Sequence, residues 1–331
     1  MKKFLSKYTL ESIGGLLSAI LWAFSGIALS LFSALNGEFS SQIGTLKFGI
    51  MSAFIVEIFM LLCSLIIVVI IKKQVSLKTI FPFHNKKIWV LILSSLLGAP
   101  LGSAMYMLAI VEIGAFKASS LSTLYPILAT MCVYIFMRKK SSWNTILGLI
   151  IAVSSAVSFG LIAGYNEPSS WKGYVYIAVA VVSWGLEAFL SSISLENNID
   201  PYVSIFIRSL TSVLVFAAVL VPAFGGYNKT QNLSNFIHNS SWYIIFLFLA
   251  ALLSSVSFMF YYRALNKLSV PKATSINITY SLWTMIFEPI LITVGAWKPS
   301  PWYVYVLGVM ILVGAIIGLL EFKPKNKQSA V

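Results

Sequence analysis

The sequence predicts an all-α integral membrane protein of ten transmembrane helices, arranged as two inverted five-helix repeats around a central cavity. Three observations carry the prediction. The 331 residues are 59% hydrophobic and only 10% charged, with a mean hydropathy of +0.90, far more apolar than a soluble domain of this size. Ten apolar segments of roughly 20 residues or more follow one another, the length a helix needs to cross hydrocarbon. The second half also repeats the first at an offset of 155 residues.

The expected spans are 12–33, 47–71, 88–110, 117–137, 143–164, 173–195, 201–223, 242–265, 272–296 and 302–321. The first is too long for the apolar core of a secretory signal and no clear A-x-A site follows it, so it reads as a membrane helix. The connections at 111–117 and 138–142 are so short that the helices they join must run antiparallel. With the N-terminus inside, ten crossings return the C-terminus inside. Sixteen Lys and Arg then face the inside, five (Lys47, Lys117, Lys172, Lys229, Lys298) the outside, and Arg208 and Arg263 fall within spans, which accounts for all 23. That bias places both termini in the cytoplasm of a multi-pass plasma-membrane protein. Trp89 and Trp143 fall at the inner boundary and Trp171, Trp242, Trp297 and Trp302 at the outer one, as an aromatic belt requires. Trp22, Trp184 and Trp283 lie about ten residues inside their spans, where no belt explains them.

The repeat pairs Tyr106 with Tyr261, Ala109 with Ala264, Lys117 with Lys272, Ala118 with Ala273 and Tyr125 with Tyr280. Upstream, GLLSAILWAFSG aligns with IAVAVVSWGLEA and matches Trp22 to Trp184. The expected division is residues 1–164, a linker at 165–172 (GYNEPSSW) and residues 173–331. Each half holds five helices. Five is odd, so the second copy enters the bilayer from the opposite side, with a site at the midplane between the halves.

The net charge of +13 comes from short basic clusters between apolar spans, so lipid and not nucleic acid is the expected partner. Cys63 and Cys132 lie within apolar segments and His84 and His238 in separate loops, which points to no disulfide, metal or cofactor. No paired acidic motif and no nucleophile with its base suggests an enzyme.

The chemistry concentrates in the sixth span. Glu187 lies near its middle, three residues after Trp184, with Ser191 a turn further on the same face. A carboxylate at that depth is costly and ordinarily faces a pathway or cavity. Beside an aromatic face it suits an organic cation. Ser18, Trp22 and Ser25 share a face of the first span; Asn277, Tyr280, Thr284 and Glu288 form a stripe on the ninth, with Trp283 alongside. The expected substrate contacts are Trp22, Trp184, Glu187, Asn277, Tyr280 and Trp283, with Tyr106 and Tyr261 as gates nearer opposite mouths. Glu187, Glu57 and Glu288 are candidate proton carriers. Arg208 and Arg263 read as anchors that snorkel to the cytoplasmic interface.

The motifs SWGLEAFLSSISLE at 183–196, IRSLTS at 207–212, YYRALNKLSVPKATSINITYSLWT at 261–284, GAPLG at 98–102 and ASSLSTLYP at 118–126 resemble the drug/metabolite transporter superfamily, in its EamA-like family. The likeness covers essentially the whole chain. Within that family it is similar to the bacterial choline transporters of the Lic type, which supply phosphorylcholine for surface decoration. Arg263 and Glu288 depart from that pattern. The resemblance implies a secondary transporter for choline or a similar quaternary ammonium ion. Exporters of amino acids or hydrophobic drugs belong to the same superfamily and are the alternative.

Overall fold

The computed structural model describes residues 2–72, 85–224, 233–287, 292–293 and 301–320. The main elements are α1 (Lys2–Leu35), α2 (Thr45–Lys72), α3 (Ile88–Ile113), α4 (Ala115–Ser122), α5 (Tyr125–Met137) and α6 (Trp143–Ala163). The second half supplies α7 (Trp171–Glu196), α8 (Pro201–Ala223), α9 (Ile244–Lys267), α10 (Val270–Asn277), α11 (Tyr280–Ile286) and α12 (Trp302–Leu319). Among the described residues nine helical stretches are long and apolar enough to cross a membrane, so the chain is a multi-span helical membrane protein. The ninth expected span, 272–296, differs. It is described as α10 and α11 joined by a turn at 278–279, and Glu288 lies outside the described residues.

Local chemistry explains the breaks. The fourth span turns at 123–124 and the ninth at 278–279, again 155 residues apart. Neither break has a glycine. In the first, Ser119, Ser122 and Thr123 each turn a hydroxyl back to a carbonyl three residues earlier, and Thr279 does so in the second. Such bonds offer the backbone an alternative to the α-helical ladder. Pro126, in the first turn of α5, also lacks the N–H that would continue α4. Elsewhere starts are conventional: Asp200 Oδ1 accepts from the Tyr202 and Val203 amides ahead of α8, with Pro201 in its first turn.

Packing relates the halves. Helix α1 lies along α9 and α7 along α3; α7 also touches α5, and α1 touches α11. Helices α2 and α8 pack on each other, as do α6 and α12. Exchanging the two halves leaves this set of neighbours unchanged. At the α6–α12 contact a Cβ on Gly148 would stand 2.4 Å from the Gly314 carbonyl, so only small residues allow that approach. Serines join the other interfaces: Ser18 to Ser257 at 3.0 Å and Ser25 to Ser254 at 2.7 Å between α1 and α9, and Ser94 to Ser191 at 2.7 Å between α3 and α7. Trp89, Trp143, Trp171, Trp242 and Trp302 are all exposed, as belt residues should be, while Trp297 lies outside the described residues.

Candidate functional site

The mid-depth aromatic residues converge where α1, α7 and α9 meet. Trp22 stands edge-on to Trp184 at 6.0 Å and to Phe258 at 5.3 Å between ring centroids. These three rings form a wall with a cavity of about 40 Å³ on each side, room for a few waters. The first cavity is lined further by Tyr125, Glu187, Tyr261, Tyr262, Asn277 and Tyr280. The second is lined by Ser25, Gly26, Glu57, Ser103, Tyr106 and Met107, among others.

The motif GAPLG explains how Trp184 and Glu187 reach the centre. Residues Leu97–Ser103 of α3 form a π-helical segment around Pro100, a local widening frequent at functional sites. A Cβ on Gly98 would fall 1.9 Å from the Glu187 carboxylate, and one on Gly102 would fall 2.6 Å from Trp184 Nε1. Both glycines therefore make room for α7. The Gly98 carbonyl in turn accepts from Trp184 Nε1 at 3.0 Å, which fixes the indole plane.

Hydroxyls and one amide fix the other walls. Tyr125 donates to Asn277 Oδ1 at 2.9 Å, and Asn277 Nδ2 donates to Ser18 Oγ at 3.1 Å. Tyr280 donates to the Ser119 carbonyl at 2.9 Å. Tyr125 and Tyr262 were not singled out from the sequence as site residues. Tyr125 was recoverable: it is the repeat mate of Tyr280, and both line the first cavity.

Arg208 corrects the reading of the charges. It is 1% exposed and does not snorkel. Its Nε donates to Glu187 Oε1 at 2.6 Å, and its Nη1 stands 3.7 Å from Glu57 Oε1. Tyr262 also donates to Glu187 Oε1, at 3.2 Å, and the guanidinium lies 4.1 Å from the centre of the Phe258 ring. Arg208 is two turns into α8, counting from Pro201, and faces inward. The base on Glu187's own helix, Lys172, lies near the far end, and α8 supplies the partner instead. With two carboxylates and one guanidinium ionised, the buried cluster carries a formal net charge of −1.

One further expectation changes. Trp283 is not among the residues lining either cavity; it packs beside Tyr280 and stacks on Phe287 at 6.4 Å. Tyr106 and Tyr261 are buried at 6% and 8% exposure, and line the second and the first cavity respectively. Arg263 is partly exposed and pairs with Glu11 at 3.2 Å. Thr284 folds back onto its own helix, its hydroxyl donating to the Tyr280 carbonyl.

Comparison with known proteins places this geometry. The model of the EamA-like transporter family matches residues 10–161 and again 171–320. The chain belongs to the EamA-like transporter family. Like that family, it is a transporter of the drug/metabolite type and not an enzyme. Protein LicB of Haemophilus influenzae is 24% identical over 319 residues, 95% of this chain and 98% of LicB. A solved crystal structure superposes with a TM-score of 0.62 at 14% identity, covering 94% of this chain and 96% of its own, a likeness of fold alone.

Proposed function

We propose that this EamA-like transporter carries choline, or a similarly compact quaternary ammonium ion, across the bacterial plasma membrane by alternating access between two inverted halves. The observation that carries the reading is what each cavity sees. Aromatic rings and a carboxylate face the space, while Arg208 stands behind Glu187 and lines neither cavity. A quaternary ammonium ion donates no strong hydrogen bond, so rings and residual negative charge are what can hold it. Each ring face is worth roughly 0.5–2 kcal/mol. A zwitterion's carboxylate would meet only neutral hydroxyls and an amide there, because the guanidinium lines neither cavity. The narrow space also favours a compact cation over a bulky drug.

Both termini are assigned to the cytoplasm, with uptake as the direction. A monovalent cation moving inward gains about 2.3 kcal/mol per 100 mV of inside-negative potential. Uptake of labelled choline into proteoliposomes is expected to saturate, to rise with an imposed inside-negative potential, and to be lost in Glu187→Gln. Thermal-shift measurements with choline, betaine and aromatic amino acids separate the substrate classes. Stabilisation by betaine or an aromatic amino acid with none by choline would overturn the assignment. The similarity to LicB supports it from a separate direction.

A further inference from the structure

We infer that the second cavity, on the Glu57 side of the ring wall, is another station for the same class of cation, and that Arg208 is the counter-ion shared by both stations. The inference rests on the reading of the first cavity as a cation site. Four observations carry it.

First, the repeat relates part of the lining of one cavity to part of the other. Trp184, Ala188 and Tyr261 of the first correspond to Trp22, Gly26 and Tyr106 of the second. Second, the wall between them is common property, since Trp22, Trp184 and Phe258 present a face to each side; Tyr106 adds a ring 5.0 Å from Trp184 on the second side. Third, the second cavity has its own carboxylate. Glu57 is 1% exposed and lines this cavity, with the Ser103 and Ser212 hydroxyls beside its carboxyl. A carboxylate buried at membrane depth is costly and ordinarily faces a pathway or cavity. Fourth, the space is kept open: a Cβ added at Gly26 would meet nothing within 4 Å.

Arg208 couples the two. Its bond to Glu187 is made, whereas towards Glu57 it is slack at 3.7 Å, and its Nη1 has no hydrogen-bond partner. A cation entering the first cavity competes with Arg208 for Glu187, and the released guanidinium closes on Glu57. A cation in the second cavity produces the reverse arrangement. The guanidinium displaced from one carboxylate occupies the other, so a second cation finds no free carboxylate. The stations are therefore alternatives, visited in sequence.

The test uses full-length protein in nanodiscs and proteoliposomes with radiolabelled choline. Wild type should bind one choline per chain. Glu57→Gln, which does not line the first cavity, removes the carboxylate that would receive the displaced Arg208 and should weaken binding at least tenfold. Gly26→Leu leaves the charges intact and fills the second cavity; it should bind within about threefold of wild type yet take up choline at least tenfold more slowly. A Cβ at this position meets nothing within 4 Å, and melting of both variants checks that they remain folded. Wild-type binding with Glu57→Gln and Gly26→Leu both indistinguishable from it in binding and uptake overturns the second station and leaves the first cavity standing. Absence of choline binding to the wild type overturns both.

Discussion

At the scale of single residues, Arg208 organises the centre. A buried ion pair contributes little net stability, but removing one partner leaves an uncompensated charge that costs on the order of 3–5 kcal/mol. Arg208→Gln strands two carboxylates, while Glu187→Gln or Glu57→Gln still leaves Arg208 a partner. Melting followed by tryptophan fluorescence should therefore show a much larger loss of thermal stability for Arg208→Gln than for either glutamine substitution of an acid. Equal losses would mean that the cluster is not electrostatically coupled. The sequence contained the signal for this residue. Ser204, Arg208 and Ser212 recur at a spacing of four and are all buried, a polar stripe on an apolar helix that marks an inward face. Distance from the start of the helix alone suggested the interface. What no pattern could supply was the pairing, because Glu57, Glu187 and Arg208 come from three helices and both halves.

Individual elements show how much the site depends on close approach. Helix α3 widens at Leu97–Ser103 and presents Gly98 and Gly102 where Glu187 and Trp184 of α7 press against it. Gly98→Ala should displace the Glu187 carboxylate from Arg208 and abolish uptake; uptake above about half of wild type would show that α3 yields easily there. Helix α4 illustrates a different economy. It begins at Gly114, with φ +84°, and the Glu167 carboxylate from the linker accepts from the amides of Phe116 and Lys117 at 3.1 Å each. A carboxylate at a helix N-terminus satisfies orphan donors and meets the positive end of the dipole. Glu167→Ala is expected to cost about 0.5–2 kcal/mol, read as a lower melting temperature, with little change in choline binding. The GYNEPSSW stretch was legible as a connection, but its docking was not, since nothing local tells Glu167 to find the start of α4. The breaks at 123–124 and 278–279 were hidden for a similar reason, because hydroxyl-to-carbonyl bonds leave no glycine in the sequence to mark them.

The whole molecule was the most legible. Apolar length predicted nine spans found among the described residues, and the neighbour pattern of the helices is compatible with the 155-residue offset. Legibility ended at the interfaces, where side chains from distant spans choose one another. Alternating access requires the halves to part somewhere, and the serine contacts between α1 and α9 join them. Ser25→Cys with Ser254→Cys, replacing hydroxyls now 2.7 Å apart, should form a disulfide under oxidation, stop uptake, and recover on reduction. Unimpaired uptake by the cross-linked protein would place the moving surface elsewhere, with α1 and α9 travelling together.

The wall of Trp22, Trp184 and Phe258 bears on ions that should stay put. Sodium or potassium would have to surrender tightly held water to squeeze through a gap framed by hydrocarbon rings, whereas a methylated ammonium has no comparable shell to lose. On the proposed cation reading, the same indoles that greet the cargo would serve as electrical insulation, protecting the voltage that drives its uptake.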